Sequence, residues 1–389
     1  MRITEYELYT VPPRWQFLKL TTSDGIVGWG EPYTKWHTID DSEPATTAAV
    51  DQMMTKYVLG EDPLAIEDLW QAMYERSFYR GGAVHMSAIA GIDEALWDIK
   101  GKHYGAPVYD LLGGKARDRI RLYQHLDGTT PTELAASARA GVEEGFSAFK
   151  TSCAVDPHRQ IDTPAVVETV RDRVAAIREA VGSGVDVAID LHGMVQKPMA
   201  KRIVEALDPS DPMFVEEPVT PEYNEFIPEL AASTSSPLAT GERMYTRMDF
   251  KPLLESGGID VVQPDVSHAG GITETRKIAS MADAYDVALA PHCPIGPLAF
   301  AASLHVDACS PNALVQEQVL FRDEYLDLDW QSYLKNPDVI AHDDGYVELP
   351  ETPGLGPEID EATVRERTDE EFTYDRGIER LPDGSITGS

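Results

Sequence analysis

The chain has 389 residues, 42% of them hydrophobic, and 66 acids against 33 bases give a formal net charge of −33. The length suits a barrel with a second domain, and the charge argues against nucleic acid and anionic membranes as partners. No apolar run reaches the length of a membrane span, and the opening "MRITEYELYTVPPRW" lacks the apolar stretch of a secretory signal.

Cys153, Cys293 and Cys309 lie far apart and form no CxxC pair, which argues against both a disulfide framework and a thiolate metal site. A cytoplasmic protein is the simple expectation. The acids are spread among well-patterned apolar segments, so the composition does not describe a disordered chain. A dispersed acidic excess with few lysines is expected of a protein from a high-salt cytoplasm.

In chain order, residues 1–60 read as strands and then a helix. "WQFLKLTTSDGIVGWGE" alternates apolar and polar residues around Ser23-Asp24-Gly25, a hairpin signal. Over 64–115, "PLAIEDLWQAMYERSFY" and "MSAIAGIDEALWDIKGKHY" carry apolar residues at helical spacing. From about 119 short apolar runs alternate with amphipathic helices. The runs are "RIRLYQH", "SAFKTS", "VDVAIDLH", "PMFVEEP", "PLATGER", "IDVVQPD", "VALAPHC" and "NALVQEQ". Eight such runs predict an α/β fold with a parallel (β/α) barrel rather than a doubly wound sheet. No glycine-rich phosphate loop follows any run, which argues against a nucleotide site. After 320 the chain turns Asp-, Pro- and Gly-rich and predicts an extended return segment with a loose tail.

The predicted strand ends carry Asp190 with His192, Glu216-Glu217, Glu242, Asp265, His292 and Glu317, and strand alternation puts His192 on the same face as Asp190. Asp190 to Glu216 and Glu216 to Glu242 are each 26 residues, about one strand–helix repeat, so each acid returns to the same level of the barrel. Barrel sites form at the C-terminal strand ends. Three carboxylates there make an all-oxygen site for a hard cation, most simply Mg²⁺. Any one of these acids could equally cap the next helix. Asp265, ending the strand before His292, is placed to orient that imidazole.

The stretches "YRGGAVHMSAIAGIDEALWDIKGK", "DLHG", "FVEEP", "GER", "QPDVSHAGGITE", "APHCPIGP" and "VQEQ" resemble the mandelate racemase subgroup of the enolase superfamily, and within it the acid-sugar dehydratases. The resemblance covers about residues 1–320. It implies a modified TIM barrel, (β/α)7β, under an α+β capping domain. The expected divisions are a cap over 1–116, the barrel over 117–318, and a segment over 319–389 that returns to the cap. It implies Asp190, Glu216 and Glu242 as Mg²⁺ ligands and Asp265–His292 as the general-base dyad. Glu317 would hydrogen-bond a substrate carboxylate, His192 would assist loss of a 3-hydroxyl, and Glu217 would play a supporting part. Lys150 keeps the first lysine of the racemases' K-x-K pattern, but Ser152 stands where the second would be. That departure suits elimination better than racemisation.

The implied reaction removes the C2 proton of an aldonic acid and expels the 3-hydroxyl, giving a 2-keto-3-deoxy sugar acid. D-galactonate is the first expectation, then D-gluconate or another aldonate. Racemisation, epimerisation or cycloisomerisation from the same intermediate, and a binding protein without activity, are the competing readings. Trp15, Tyr33, Trp36 and His37 are cap candidates for specificity, with packing as good an explanation, and His125 is a weak candidate for the sugar chain. The subgroup's habit predicts a homo-oligomer.

Overall fold

Ser23, Asp24 and Gly25 do turn a hairpin, with Gly25 at φ 80°. The structure is a computed structural model and describes residues 1–13, 15–33, 42–152, 164–321, 329–368, 380 and 383–386. Trp36, His37 and Cys153 lie outside the described residues, as does most of the C-terminal tail. Strands β1 (Ile3–Val11), β2 (Trp15–Thr22) and β3 (Val27–Gly30) form an antiparallel meander. Its apolar face, with Ile3, Leu18 and Leu20, packs on Ile89, Ile92, Leu96 and Ile99 of the helix Ala83–Tyr104. The two glycines of "GWG" permit that approach: a Cβ on Gly30 would sit 2.0 Å from the Gly91 carbonyl, and one on Gly28 2.3 Å from that of Ala95.

The helix Ala83–Tyr104 is buried along most of its length. One side meets the meander and another meets the barrel helix Gly271–Asp283. Its acids Asp93, Glu94 and Asp98 are therefore buried too. Asp93 accepts from Thr273 N and Oγ1, and Glu94 from Glu31 N and Ser267 Oγ. Asp98 accepts from Trp29 N, Leu355 N and Lys102 Nζ. Glu31 Oε2 accepts from Leu298 N and Ala299 N at the start of the helix Pro297–Cys309. Cap and barrel are joined through acid-to-amide contacts.

Every one of the eight predicted runs contributes to the barrel, but the first is divided. Within "RIRLYQH", β4 (Arg119–Arg121) joins a small antiparallel sheet with β12 (His342–Asp343) and β13 (Tyr346–Glu348). Only β5 (Gln124–His125) enters the barrel sheet. The chain crosses between the sheets at Leu122, whose N–H bonds Gly345 on one side while the residue bridges Gln316 on the other. The parallel sheet then runs in sequence order through β6 (Ala148–Ser152), β7 (Asp186–Asp190), β8 (Phe214–Glu216), β9 (Leu238–Thr240), β10 (Val261–Val262) and β11 (Ala288–Leu289). Residues 312–316 bridge Leu289 to Leu122 and close the ring. One residue from each run fills the interior: Tyr123, Ala148, Ala188, Phe214, Ala239, Val261, Ala290 and Val315. Neighbouring outward positions such as Val187, Ile189, Val215 and Leu289 pack under the helices.

The return segment reaches the cap. Tyr333 donates its hydroxyl to the Pro12 carbonyl and meets Trp15 and Phe17 edge-on. Glu361 pairs with Lys19, and Arg365 with Glu7. Trp15 is wholly buried in that cluster, so packing accounts for it. No helix among the described residues is long and apolar enough to cross a membrane.

Candidate active site

Asp190 and Glu216 end adjacent strands in direct register, and Glu242 follows β9 by two residues. One oxygen from each lies within 4.8 Å of the others. Asp190 and Glu216 are buried, and Glu242 side-chain exposure is 14%. Glu216 Oε2 and Glu242 Oε2 are buried oxygens with no hydrogen bond among the described residues, and Asp190 Oδ2 beside them is met by the His192 ring at 2.8 Å. Three converging carboxylate oxygens, two of them without a hydrogen bond among the described residues, are costly. The set fits a hard cation, which would satisfy all three at once.

Lys150, on the strand before Asp190, lies under this triad. Its Nζ is 2.8 Å from Glu216 Oε1, 2.8 Å from Glu317 Oε1 and 3.6 Å from Asp190 Oδ2. Burial opposes the ammonium charge, but Glu216 and Glu317 outweigh it and hold the lysine well above its ordinary value. Glu317 also accepts from His125 Nε2 at 2.8 Å and from Cys293 N at 2.9 Å. Burial would raise Glu317, yet Lys150, His292 and His125 hold it well below the usual carboxylate range. His125 thus touches Glu317, a contact the sequence did not indicate.

His292 Nδ1 lies 2.7 Å from Asp265 Oδ2, and its Nε2 lies 3.6 Å from Glu242 Oε2 and 4.0 Å from Glu317 Oε2. The Asp265 contact fixes the ring so that Nε2 faces the triad. Burial disfavours the charged ring, but Glu242, Glu317 and Asp265 raise it to about 10. His268, three residues beyond Asp265, carries its Nδ1 2.7 Å from Ser87 Oγ of the cap and its ring against Tyr33. The sequence offered only its place in "QPDVSHAGG".

His192 is where the sequence reading needs correction. Strand alternation would put it on the same face as Asp190, but β7 ends at Asp190 and His192 sits in a left-handed turn at φ 47°. The turn, rather than the pleat, carries its Nε2 to 2.8 Å from Asp190 Oδ2. Its N–H donates to Asp190 Oδ1. Nδ1 is buried without a hydrogen bond among the described residues. Burial lowers this ring's basicity, but Asp190 raises it to about 9 overall. Glu217 also adopts a left-handed conformation, φ 41°, and points its carboxylate away from the strand face to a bidentate pair with Arg243. Ser152 ends β6 exposed, in register with Asp190.

Residues 12–113 match the mandelate racemase / muconate lactonizing enzyme N-terminal domain, and residues 133–363 match the enolase C-terminal domain-like family. The chain belongs to the mandelate racemase / muconate lactonizing enzyme family of the enolase superfamily. It is 48% identical over 386 residues to D-galactonate dehydratase of Ralstonia pickettii (strain 12J), covering 99% of each chain. It is 46% identical over 391 residues to D-galactonate dehydratase of Pectobacterium atrosepticum, again covering 99% of each. Among solved structures, an enolase from Agrobacterium radiobacter with bound sodium and L-malate superposes with a TM-score of 0.90, at 33% identity and 100% coverage of both chains.

Proposed function

We propose that this protein dehydrates D-galactonate to a 2-keto-3-deoxy sugar acid, with Mg²⁺ held by Asp190, Glu216 and Glu242. One observation carries the reading: two histidines flank one carboxylate triad. β8 lies between β7 and β9. His192 stands beside Asp190 on the first side, and His292 beside Glu242 on the other. A base and an acid at opposite edges are what removal of a C2 proton and departure of a 3-hydroxyl need. Near-identity in length and 46–48% sequence identity to D-galactonate dehydratases support the substrate.

When bound, the cation supplies positive charge where the substrate carboxylate gains a second negative charge. The chain does the rest. Lys150 adds a fixed positive charge beneath the triad. His292, held by Asp265, takes the C2 proton on Nε2. The C–H electron pair moves toward the carboxylate. His192 gives its Nδ1 proton to the departing 3-hydroxyl, which leaves as water. The resulting enol tautomerises to the 2-keto acid. The carboxylates that hold His292 charged include Glu242, one of those the cation would neutralise, and that frees the ring to act as a base. Ser152 offers no second base, which speaks against racemisation and epimerisation.

The test separates the two histidines. His292→Asn should stop both dehydration and exchange of the C2 hydrogen in D₂O. His192→Asn should stop dehydration while exchange continues. Proton NMR with D-galactonate, D-gluconate and Mg²⁺, together with semicarbazide detection of the product, reads both. Exchange in the His292 variant but not in the His192 variant would reverse the roles. A homo-oligomer in a high-salt cytoplasm completes the proposal, and light scattering in molar KCl measures the assembly.

A further inference from the structure

We infer that Arg243 is a positioning residue for His192, fixing the acid that expels the hydroxyl through the backbone rather than through the imidazole. The inference rests on the assignment of His192 above. Left-handed backbone is unfavourable for residues other than glycine and persists only where the surroundings hold it. Here two such residues, His192 at φ 47° and Glu217 at φ 41°, lie just past the ends of neighbouring barrel strands. One guanidinium ties them together. Arg243 Nε donates to Glu217 Oε1 at 2.8 Å, and Nη2 donates to Glu217 Oε2 at 2.7 Å and to the His192 carbonyl at 3.2 Å. The two turns are also joined directly, Gly193 N to the Glu217 carbonyl at 2.8 Å.

The peptide of His192 is thus pinned from both sides, its N–H by Asp190 and its carbonyl by Arg243. The ring is met by Asp190 Oδ2 at Nε2 and has no hydrogen-bond partner on Nδ1 among the described residues, so the backbone, together with that one contact, sets its aim. Gly193 must be glycine for the clamp to close: at φ 62° its Cβ would stand 2.6 Å from Arg243 Nη2 and 2.9 Å from Thr220 N. Lysine cannot replace the clamp, since a point charge lacks the planar fork that bonds a carboxylate and a carbonyl together. Arg243 touches neither oxygens of the triad nor His292 by any hydrogen bond, so its loss should fall on the hydroxyl-expelling step alone.

The experiment compares wild type, Arg243→Lys, Glu217→Gln and the His192→Asn reference with D-galactonate and Mg²⁺ in D₂O. Dehydration should fall about 10- to 100-fold in Arg243→Lys, the range for a residue that orients a site group. C2 exchange should stay within about twofold, so the exchange-to-dehydration ratio rises by that 10- to 100-fold. Mg²⁺ affinity by calorimetry should be unchanged. Glu217→Gln keeps part of the fork and should lie between wild type and Arg243→Lys, which guards against misfolding of the latter. A crystal structure of either variant should show the His192 ring displaced. Equal losses of exchange and dehydration, an unchanged ratio, or an undisplaced ring would overturn the proposal. Should His192→Asn itself dehydrate normally, the assignment of His192 fails instead. The crystallographic comparison decides the clamp even if no aldonate is turned over.

Discussion

Two groups of buried carboxylates occupy this molecule, and they are built on opposite plans. Asp93 and Glu94, between cap and barrel, and Asp98, between the cap and the return segment, have both oxygens hydrogen-bonded, mostly by backbone N–H groups and hydroxyls. Asp190, Glu216 and Glu242, at the barrel mouth, bring one oxygen each within 4.8 Å of the others, and Glu216 and Glu242 each keep a buried oxygen without a hydrogen bond among the described residues. The first plan joins two bodies by hydrogen bonds, while burial pushes Asp93 up to about 7 and Glu94 well above the usual carboxylate range. The second stores repulsion that Lys150 and His192 offset in part and that a cation or a proton would relieve further. Glu31 falls between: Oε2 accepts two N–H groups, Oε1 has none among the described residues, and burial pushes the acid up to about 8.

The comparison breaks most easily at the mouth. EDTA should abolish turnover and Mg²⁺ should restore it. Glu242→Gln should lower kcat/KM by about a thousandfold, since a cation's share of the barrier is several kcal/mol. Yet the same variant, stripped of metal, should be more stable to urea than wild type by about 1 kcal/mol, because like charges no longer face each other. Full activity without metal, or a destabilised apo variant, would erase the contrast.

Where the cap meets the return segment the sign should invert. Asp98→Asn loses a charged acceptor for Trp29 N, Leu355 N and Lys102 and should cost about 2–3 kcal/mol in urea unfolding. Glu31 sharpens the intermediate case through pH. Its folded value, about 8, exceeds that of the unfolded chain, so its stabilisation is complete below the ordinary carboxylate range and fades as pH rises through 8. Stability should fall with a slope of at most about 1.4 kcal/mol per pH unit from this group. Glu31→Gln should flatten that slope.

The smallest effect per residue belongs to the surface acids, each coupled to its neighbours by less than about 0.5 kcal/mol. Summed over a net charge of −33 they should still make the melting temperature rise with KCl into the molar range. The barrel-mouth and joint acids, buried away from ions, should not contribute to that slope. A salt-independent melting temperature would remove the high-salt reading.

The barrel and its acid triad were legible because strand and helix together repeat every 26 residues, and that interval is visible in Asp190, Glu216 and Glu242. The same interval separates Glu217 from Arg243, and "FVEEP" with "GER" carried that pairing unread. The left-handed turn at His192 has no such signature, since φ is set by contacts from other strands. The joint acids were illegible for a related reason. In "GIDEALWDIKGK" they occupy positions that an amphipathic helix would show to water. Only the sheet on one side and the barrel helix on the other make them interior.

Trp15 and Phe17 find their partner Tyr333 more than 300 residues downstream, and Lys19 its partner Glu361 later still. Chains are made from the N-terminus and fold as they emerge. The cap is therefore the first part synthesised and the last completed, and its aromatic cluster stays open while the whole barrel forms. A ribosome stalled after the barrel but before Tyr333 should hold a nascent chain with its catalytic strands in place and its roof unlatched, the interval in which a chaperone has most to shield.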